Sequence, residues 1–470
     1  MSFLTEAQVL DLNCAVVNYV RNVIEENGID KKSVLEQLKG ILEVDDDDLI
    51  TRDDEQLLKR KWNSIVRLQR TITQLENKCA ELQSNVNSVT AKLEKLELSS
   101  KSPITVNATD INWVPFGSLL TNIKVDSSVT AVRLHPTLSY VYIGTDSGKL
   151  YCYDILDFSM PIATTQAHAK SVTSIDVVEV DGFDQHTETS TIIATTSKDA
   201  LVNAYIFSSI RKDFVHIRSL TDHDNIVSQG IIWQKNKVAF LASCSRDLSI
   251  KVWNLNESRV LQSFVPHSEW IKSIDVFGEY ILSGSLDSTL RLTHWPSTNG
   301  LSIGSGHTFP IEKVKIIPFS QDTEIKSKIR RTTDNKEYKD IGFRYCASAS
   351  RDNTIKIWEI PLPFLRLNSA PVPNTSKTEF TCIMTLKGHS SWVKDIKIRG
   401  DHLFSCSDDK TVKCWNLNNG ECLKSWNDMH NGFINCIDVD DITCDPHDTA
   451  SLQRELIVTG SLDCRVKIFR

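Results

Sequence analysis

A nine-residue phrase recurs along the chain, and this repetition limits the possible folds more than any other feature of the sequence. SRDLSIKVW begins at Ser245, SRDNTIKIW at Ser350 and SDDKTVKCW at Ser407. A weaker copy, SLDCRVKIF, begins at Ser461. Such internal similarity indicates a repeat architecture, in which each unit is one supersecondary structure that buries its apolar face against its neighbours.

The copies align on the aspartate of the phrase and number seven if a degenerate copy with Ser147 in that place is counted. The aspartates are Asp199, Asp247, Asp287, Asp352, Asp409 and Asp463. Upstream of each lies a histidine followed by an apolar strand: His168, His223, His267, His307, His389 and His430. This order, closed by a strand that usually ends in tryptophan, is typical of WD repeats. Residues 119–470 therefore predict an all-β seven-bladed WD-repeat β-propeller with four strands per blade.

The phrase also predicts a polar framework inside each blade. Its expected members in three blades are His223, Asp247, Trp253, Asp352, Trp358, His389, Asp409 and Trp415. The aspartate would accept backbone N–H bonds in a tight turn and hold the histidine. The other histidine nitrogen and the tryptophan N–H would meet at a hydroxyl, which we assign to Ser245, Ser350 or Ser407. Because this trio recurs at framework positions, it does not indicate a hydrolase triad, which occurs once in a pocket with an oxyanion hole.

The last phrase ends at Phe469 and the sequence stops at Arg470, which leaves the seventh blade one strand short. Since a ring needs its edge strand paired, we expect the missing outer strand from before the first repeat, within residues 119–125 (LLTNIKV). Apolar residues that alternate along the strands, such as Ile250 and Val252, should pack against the next blade. Polar or proline-rich stretches at 320–340 and 360–380 predict surface insertions.

The first hundred residues have helical spacing of apolar residues instead. Residues 1–45 predict a helical hairpin that is too small to bury its own apolar face and so pairs with a copy of itself. An acidic linker (46–61) precedes a strict heptad over 62–98, and a second linker (99–118) follows. A sustained 3.5-residue period predicts a coiled coil, and isoleucine at the first a positions with leucine at most d positions favours a parallel dimer. The expected dimerisation residues are Ile65, Leu68, Ile72, Leu75, Leu82 and Leu93. The alternative is a helix that folds back on the C-terminal domain.

Composition argues against several functional classes. The net charge of −7 does not favour nucleic acid, and no apolar run approaches the roughly 18 residues of a membrane span. The N-terminus lacks the features of a signal peptide. The 12 cysteines include no CxxC pair, which indicates reduced thiols rather than a metal site. We expect no cofactor, no metal, no nucleic-acid partner and no membrane insertion.

One face of the predicted ring combines basic and aromatic residues. The residue before each turn aspartate should point out of this face, and the strands that begin the blades should add to it. The predicted set is Arg246, Lys272, Arg351, Lys394 and Lys410, with Trp270 and Trp392 nearby. Arginine and tryptophan dominate protein-binding hot spots, so this face is a candidate protein-binding site. The alternative is that these are solvated turn residues of the repeat.

Several longer segments carry a more specific resemblance. They are KWNSIVRLQ (61–69), HSEWIKSIDV (267–276), LRLTHWPSTNGLSIGSGHTFPIEKVK (290–315), SASRDNTIKIWEIPLP (348–363) and KGHSSWVKDI (387–396). Through them nearly the whole chain resembles the lissencephaly/nuclear-distribution family of cytoplasmic dynein regulators, fungal type. The N-terminal hairpin resembles a Lis-homology dimerisation motif, although the stretch from Tyr19 to Gly28 is longer than usual.

The resemblance implies a non-catalytic homodimer that binds the cytoplasmic dynein heavy chain and controls its activity on microtubules. The positions that match the family's contacts with the motor ring are Arg246, Lys272, Arg351, Trp392 and Lys410. Lys272 stands where the family often has arginine, so it keeps the charge but loses the planar fork. A second contact, toward the dynein stalk, corresponds to Ser219 and the loop at Asp224 and Asn225.

The resemblance also implies a NudE-type coiled-coil adaptor as a partner and, indirectly, the microtubule plus-end machinery. The implied locations are the cytoplasm, microtubule plus ends and spindle poles, and the implied roles are nuclear migration and mitotic spindle orientation. Two alternatives stay open. One is a generic WD-repeat scaffold for another multiprotein complex. The other is a subunit of an enzyme, because animal relatives resemble the non-catalytic partner of a phospholipid-mediator acetylhydrolase.

Overall fold

The structure, a computed structural model, describes residues 118–470 apart from 182, 184–188, 209–210, 319–335, 366–368 and 440–455. Before residue 118 it describes only Val17 and Lys78, both helical. Apart from these two residues, the helical hairpin, the two linkers up to residue 117 and the coiled coil lie outside the described residues. The seam formed by Ile65, Leu68, Ile72, Leu75, Leu82 and Leu93 lies outside them as well, so dimerisation and the domain boundaries stay predictions.

Seven four-stranded antiparallel sheets form the blades of a β-propeller, as predicted. Blade 1 contains β2 (Val129–Leu134), β3 (Tyr140–Thr145), β4 (Lys149–Asp154) and β5 (Ala163–Gln166). Blade 2 contains β6 (Val172–Asp181), β7 (Thr189–Ser197), β8 (Val202–Ser208) and β9 (Asp213–Leu220). Blade 3 contains β10 (Val227–Lys235), β11 (Val238–Ser245), β12 (Ile250–Asn254) and β13 (Arg259–Phe264).

The remaining blades have the same order from the centre outward. Blade 4 contains β14 (Ile271–Phe277), β15 (Tyr280–Ser285), β16 (Leu290–His294) and β17 (Asn299–Gly304). Blade 5 contains β18 (Ile311–Pro318), β19 (Phe343–Ser350), β20 (Thr354–Glu359) and β21 (Thr381–Lys387), and a short helix α1 (Lys336–Ile341) precedes β19. Blade 6 contains β22 (Val393–Arg399), β23 (His402–Ser407), β24 (Val412–Asn416) and β25 (Cys422–Trp426). Blade 7 contains β26 (Ile434–Val439), β27 (Ile457–Ser461), β28 (Arg465–Phe469) and β1 (Leu119–Lys124).

The ring closes through blade 7, where β1 supplies the outer strand that the sequence leaves missing. β1 pairs antiparallel with β28, with Asn122 opposite Lys467. Beyond the strand ends, Ser118 and Arg470 exchange two backbone hydrogen bonds of 3.1 Å. The prediction of closure within residues 119–125 is therefore confirmed. Since the pairing joins residues more than 300 positions apart, the fold is complete only when both ends of the propeller sequence meet.

Apolar residues that alternate along the strands fill the spaces between the blades. Ile250 and Val252 of blade 3 are fully buried in one cluster with Ile271 and Ile274 of blade 4. This confirms the predicted packing between neighbours. At roughly 25 cal/mol per Å² of buried apolar surface, such inter-blade clusters supply the main favourable term of a repeat fold.

A shared serine hydroxyl closes the polar framework of blade 5. His307 Nδ1 lies 2.6 Å from Asp352 Oδ2, so the ring donates to the carboxylate through this nitrogen. Its Nε2, 2.7 Å from Ser348 Oγ, then accepts the serine proton. Ser348 Oγ in turn accepts the indole N–H of Trp358 at 2.7 Å. All buried polar groups of this chain of contacts are thereby satisfied within one blade.

The same arrangement confirms the predicted framework in blades 3 and 6. In blade 3, His223 contacts Asp247 through one ring nitrogen, and its other nitrogen shares a serine hydroxyl with Trp253. His389, Asp409 and Trp415 make the same contacts in blade 6. The serine itself was predicted wrongly. It is Ser243, Ser348 or Ser405, two residues before the expected Ser245, Ser350 or Ser407. Residues i and i+2 of a strand lie on the same face, so both serines were candidates. Trp253 stands opposite Leu241, and its ring reaches Ser243, which is nearer along the strand than Ser245.

The later serines stabilise the aspartate turn instead. Ser245 Oγ accepts the N–H of Asp247 at 3.1 Å and donates to the carbonyl oxygen of Asn225 at 3.1 Å. Ser350 and Ser407 make the equivalent contacts in blades 5 and 6. Each blade of this kind therefore uses one serine for the buried histidine and tryptophan and another for the turn.

We predict that Ser348→Ala lowers the free energy of unfolding by about 2–4 kcal/mol, because it leaves His307 Nε2 and the Trp358 N–H buried without a partner. Urea unfolding followed by tryptophan fluorescence measures this. Ser376→Ala, at an exposed loop position, is the matched control and should change the midpoint little. Equal midpoints for the two variants would contradict the role of the shared hydroxyl.

The turn aspartates should make the propeller sensitive to acid. Burial raises the pKa of Asp409, but the hydrogen bonds from His389 and Thr411 outweigh it and hold that pKa well below its ordinary value. The pKa values of Asp247, Asp287 and Asp352 are lowered by the equivalent contacts. A carboxylate with a depressed folded-state pKa stabilises the fold above its unfolded pKa of about 3.9, and this stability is lost as the pH falls.

Urea midpoints between pH 7 and pH 3 should therefore decrease, with most of the loss below about pH 5. Asp409→Asn should be less stable at pH 7 and should show a shallower decrease with acid, because one of the linked carboxylates is absent. Asp213→Asn, at the exposed start of β9, should keep the wild-type slope. A slope unchanged by Asp409→Asn would argue against this origin of the acid sensitivity.

Candidate protein-binding face

The aspartate turns present the residue that precedes each aspartate on one face of the ring. In every blade the backbone N–H of this residue donates to the carbonyl oxygen of the residue just before the innermost strand. Examples are Leu286 to Trp270 at 2.9 Å, Arg351 to Pro310 at 3.0 Å and Asp408 to Trp392 at 3.0 Å. Both positions, the residue before the aspartate and the residue before the innermost strand, lie in loops. The hydrogen bond between them holds their backbone in place and so positions their side chains.

Two arginines stack on two tryptophans at this face. The guanidinium carbon of Arg246 lies 4.5 Å from the ring centre of Trp270, and that of Arg351 lies 4.4 Å from the ring centre of Trp392. Each pair joins neighbouring blades, because the arginine comes from blade 3 or 5 and the tryptophan from blade 4 or 6. Trp270 and Trp392 remain 40% and 42% exposed, so much of each ring is available to a partner.

Glu312 holds the cations of this face together. Its side chain is buried and lies 3.4 Å from Lys272 Nζ, while its other oxygen contacts Arg351 Nε. Burial raises the pKa of Glu312, but attraction by Lys272, Lys394 and Arg351 outweighs this and keeps the pKa below its ordinary value. Burial lowers the pKa of Lys272, and Glu312 opposes that shift while Lys394, Arg351 and Arg246 add to it.

We call this surface the mouth face, defined by Arg246, Trp270, Lys272, Glu312, Arg351, Trp392 and Lys394. It surrounds one opening of the central channel, a cavity of about 770 Å³ that Lys272, Glu312, Lys394 and Arg246 line together with residues deeper in the ring. Those deeper charges are paired: Lys315 with Asp275 at 2.7 Å, and Lys397 with Asp438 at 2.8 Å. The channel is therefore a set of ion pairs between blades, with the mouth face as its basic end.

The structure brings four of the six sequence-predicted contact residues together: Arg246, Lys272, Arg351 and Trp392. Lys410 lies in the turn of blade 6, where its φ of +64° and its N–H bond to Ser407 fix the backbone. Ser219 lies apart from the mouth face on the outer strand β9, where its hydroxyl donates to Asn203 Oδ1 at 2.7 Å. The exposed residues Asp224 and Asn225 occupy the loop between β9 and β10.

Sequence reasoning missed Glu312, because a carboxylate within a strand resembles any solvated polar position until its neighbours are known. It also missed two exposed aromatic residues, Phe309 and Phe433, which are 57% and 48% exposed. A usable signal was present, since Phe433 stands three residues after its blade's histidine, as Trp270 and Trp392 do. Aligning the loops after each histidine would have shown aromatic residues on blades 4 to 7.

Among the described residues, no group of histidine, cysteine or acidic side chains is arranged to hold a metal ion. Within the same part of the chain, no helix is both long and apolar enough to cross a membrane.

The seven four-stranded blades and the stacked arginine–tryptophan pairs define the protein as a WD-repeat β-propeller that has one basic and aromatic face. The family model for the WD domain, G-beta repeat, matches residues 214–254, 258–294, 301–359 and 380–416. A nuclear distribution protein PAC1 from Candida glabrata is 52% identical over the full length of both chains. Proteins of the same name from Saccharomyces cerevisiae (strain YJM789) and Eremothecium gossypii are 45% and 39% identical, each covering 99% of this chain and 98% of their own. The chain belongs to the nuclear distribution protein family.

We predict that Glu312→Gln lowers the free energy of unfolding by about 1–3 kcal/mol, because Lys272, Arg351 and Lys394 then repel one another without a compensating carboxylate. Added salt should restore part of this loss by screening the repulsion. Urea unfolding at low and high salt measures both effects. Glu257→Gln is the control, since the Glu257–Arg259 pair is exposed and such pairs contribute little. A salt-independent loss would contradict the electrostatic explanation.

Proposed function

We propose that this protein is a non-catalytic dimeric regulator that binds the cytoplasmic dynein motor domain through the mouth face. The contacts would come from Arg246, Lys272, Arg351 and Trp392 of the mouth face and from Lys410 in the turn of blade 6, with Ser219 and the Asp224–Asn225 loop making a second contact toward the stalk. This activity would serve plus-end targeting, nuclear migration and spindle orientation. A NudE-type coiled-coil adaptor is proposed as a further partner.

The observation that carries the proposal is the pair of exposed tryptophans, each covered by an arginine from the neighbouring blade. Tryptophan and arginine are the residue types most enriched in hot spots, and stacking restricts their rotamers before a partner arrives. Less side-chain entropy is then lost on binding. The names of the relatives, nuclear distribution proteins, support the cellular role.

The charge of the mouth face favours an acidic partner surface. Four cations (Arg246, Lys272, Arg351 and Lys394) accompany Glu312 and Asp408, whereas the whole chain has a net charge of −7. A local positive potential on an acidic protein steers one surface toward its partner and disfavours other orientations. Binding should therefore weaken as ionic strength rises.

A binding role rather than a catalytic one is supported by the state of the serines. Ser243, Ser348 and Ser405 are fully buried, and each hydroxyl is already shared between a histidine and a tryptophan. A serine nucleophile must be reachable by substrate and must face an oxyanion hole. The repeated histidine, aspartate and serine side chains are already engaged in the structural hydrogen bonds of the blades.

Dimerisation through the predicted coiled coil would let two propellers engage the motor machinery at once. Linked binding modules raise the effective affinity when the linker lets both reach their sites. A regulator that binds one motor conformation better than another shifts the motor toward it, by no more than the difference in binding free energy.

We predict that Arg351→Ala/Trp392→Ala weakens binding to the purified dynein motor domain by at least about 2 kcal/mol, or roughly 30-fold in Kd, because it removes one of the two stacked pairs. Biolayer interferometry with immobilised motor domain measures the Kd. Arg259→Ala/Leu423→Ala is the matched control, with an exposed arginine and an exposed apolar residue on outer strands, and should bind like the wild type.

Urea unfolding and sedimentation should first show that both double variants are folded and have the wild-type oligomeric state. Equal binding by the two double variants would mean that the interface lies elsewhere on the protein. Absence of binding by the wild type would favour the alternative of a WD-repeat scaffold for another complex.

A further inference from the structure

One cation of the repeat lacks the partner that its equivalents have. Two residues before the closing aromatic position, five blades carry Lys251, Arg291, Lys356, Lys413 and Lys467. The four lysines all have acceptors. Lys251 Nζ lies 2.6 Å from Asp222 Oδ2, Lys413 Nζ lies 2.8 Å from Ser425 Oγ, and Lys467 contacts the Met429 carbonyl. Lys356 Nζ lies 3.4 Å from Thr385 Oγ1.

Register explains the difference at Arg291. The residue directly opposite on the outer strand is Thr385 for Lys356 and Ser425 for Lys413, so a hydroxyl faces the ammonium group. Opposite Arg291 stands Ile303, which has no acceptor. Within the described part of the chain, the Arg291 guanidinium makes no hydrogen bond or ion pair, and its Nε is buried without a partner. Arg291 as a whole is partly exposed, but its unpaired Nε is buried, and a buried donor without a partner is costly, which favours binding of an anionic acceptor.

A cavity of about 390 Å³ adjoins this arginine. Its lining is mixed: the apolar part includes Phe264, Pro266, Leu301 and Pro373, and the polar part includes the hydroxyls of Thr298, Ser302 and Thr378. Among the described residues, Arg291 is the one charged residue of the lining. Thr293 also lines it and is 2% exposed, and its hydroxyl has no hydrogen-bond partner within the described residues. At the rim, the side chain of Val265 is 64% exposed.

We propose that this cavity, the Arg291 cavity, binds the carboxylate of an aspartate or glutamate from an extended segment of a partner protein. Arginine presents a planar fork that matches a carboxylate, and the hydroxyls of the lining can donate further hydrogen bonds to it. Apolar residues that flank the acid in the partner would cover Val265 and Pro266. The volume suits a few residues of an extended chain rather than a folded surface.

The outer edge of blade 4 already pairs with extended chain. Ile303 donates its N–H to the Thr378 carbonyl at 3.0 Å and accepts the Phe380 N–H at 2.8 Å, as one step of a parallel ladder. Backbone pairing of this kind is a common mode of peptide recognition at sheet edges. Since no residue of the mouth face lines the Arg291 cavity, the inference does not depend on the dynein proposal.

Two pools of fluorescein-labelled hexapeptides test the proposal on the full-length protein. One pool has a fixed central glutamate among randomised Val, Leu, Pro, Ser and Thr, and the other has glutamine in its place. By fluorescence anisotropy we expect the glutamate pool to bind at least about tenfold tighter, a difference of about 1.4 kcal/mol. Arg291→Gln should abolish this preference, because it removes the counter-charge.

Two further variants test whether the preference depends on the uncapped guanidinium of Arg291. Ile303→Thr places opposite Arg291 the hydroxyl that blade 5 has, so it should cap the guanidinium and reduce the preference for glutamate. Lys356→Gln removes the equivalent cation of blade 5 and should leave the preference unchanged. Urea unfolding confirms that each variant is folded, and Ile303→Thr remains informative if Arg291→Gln is not.

Four outcomes would overturn the proposal. Equal binding of the two pools would exclude a carboxylate site, and an unchanged preference in Arg291→Gln would place the site elsewhere. Free acetate that competes at the same concentration as the glutamate pool would mean a site for small anions and not for a peptide. Self-association that Arg291→Gln removes would identify a second copy of this chain as the occupant in place of a partner protein.

Discussion

The serine hydroxyl shared by a buried histidine and a buried tryptophan is the interaction on which the blades depend. In blade 5 it satisfies His307 and Trp358 at once, and His307 in turn fixes Asp352. The aspartate then caps its own turn by accepting the N–H and hydroxyl of Thr354. Loss of one oxygen would therefore leave several buried groups unsatisfied, and such groups cost more than the hydrogen bond itself contributes.

The position of the mouth face follows from this framework. Once the aspartate turn is fixed, the N–H of the preceding residue reaches the carbonyl that begins the innermost strand, as Arg351 reaches Pro310. The arginine side chain is then directed toward the next blade, where it meets Trp392. A buried hydrogen-bond network thus determines, through one turn, the position of a partly exposed residue of the proposed interface. This is how a rigid scaffold positions functional residues on loops.

Much of this arrangement could be predicted from the sequence, because aligned copies of a repeat show which positions have the same structural role. The seven blades, the closing strand and the basic and aromatic face all follow from comparing copies of one phrase. The parts that could not be predicted depend on which side chains meet across strands. Ser243 and Ser245 share a face, and only the reach of the Trp253 ring decides between them. Glu312 becomes significant only when Lys272 and Arg351, from other segments, are brought to it. The helical N-terminal predictions concern residues that the structure does not describe.

The positions that we propose as functional are those where a blade departs from the repeat. A symmetrical ring would present the same turn residue seven times, whereas here the turn position holds an arginine in blades 3 and 5 and Leu286 between them. The tryptophans alternate in the same way, so each arginine has one aromatic neighbour on its far side. Arg291 is a departure of the opposite kind, since the cation is kept while its hydroxyl partner becomes Ile303. The hydrogen-bond framework of the blades explains neither departure. Other blades form the ring without a turn arginine and without an uncapped cation. Selection for stability alone would favour the capped lysine of blades 5 and 6, so an uncapped arginine in the lining of a cavity is better explained by a ligand that supplies the missing charge.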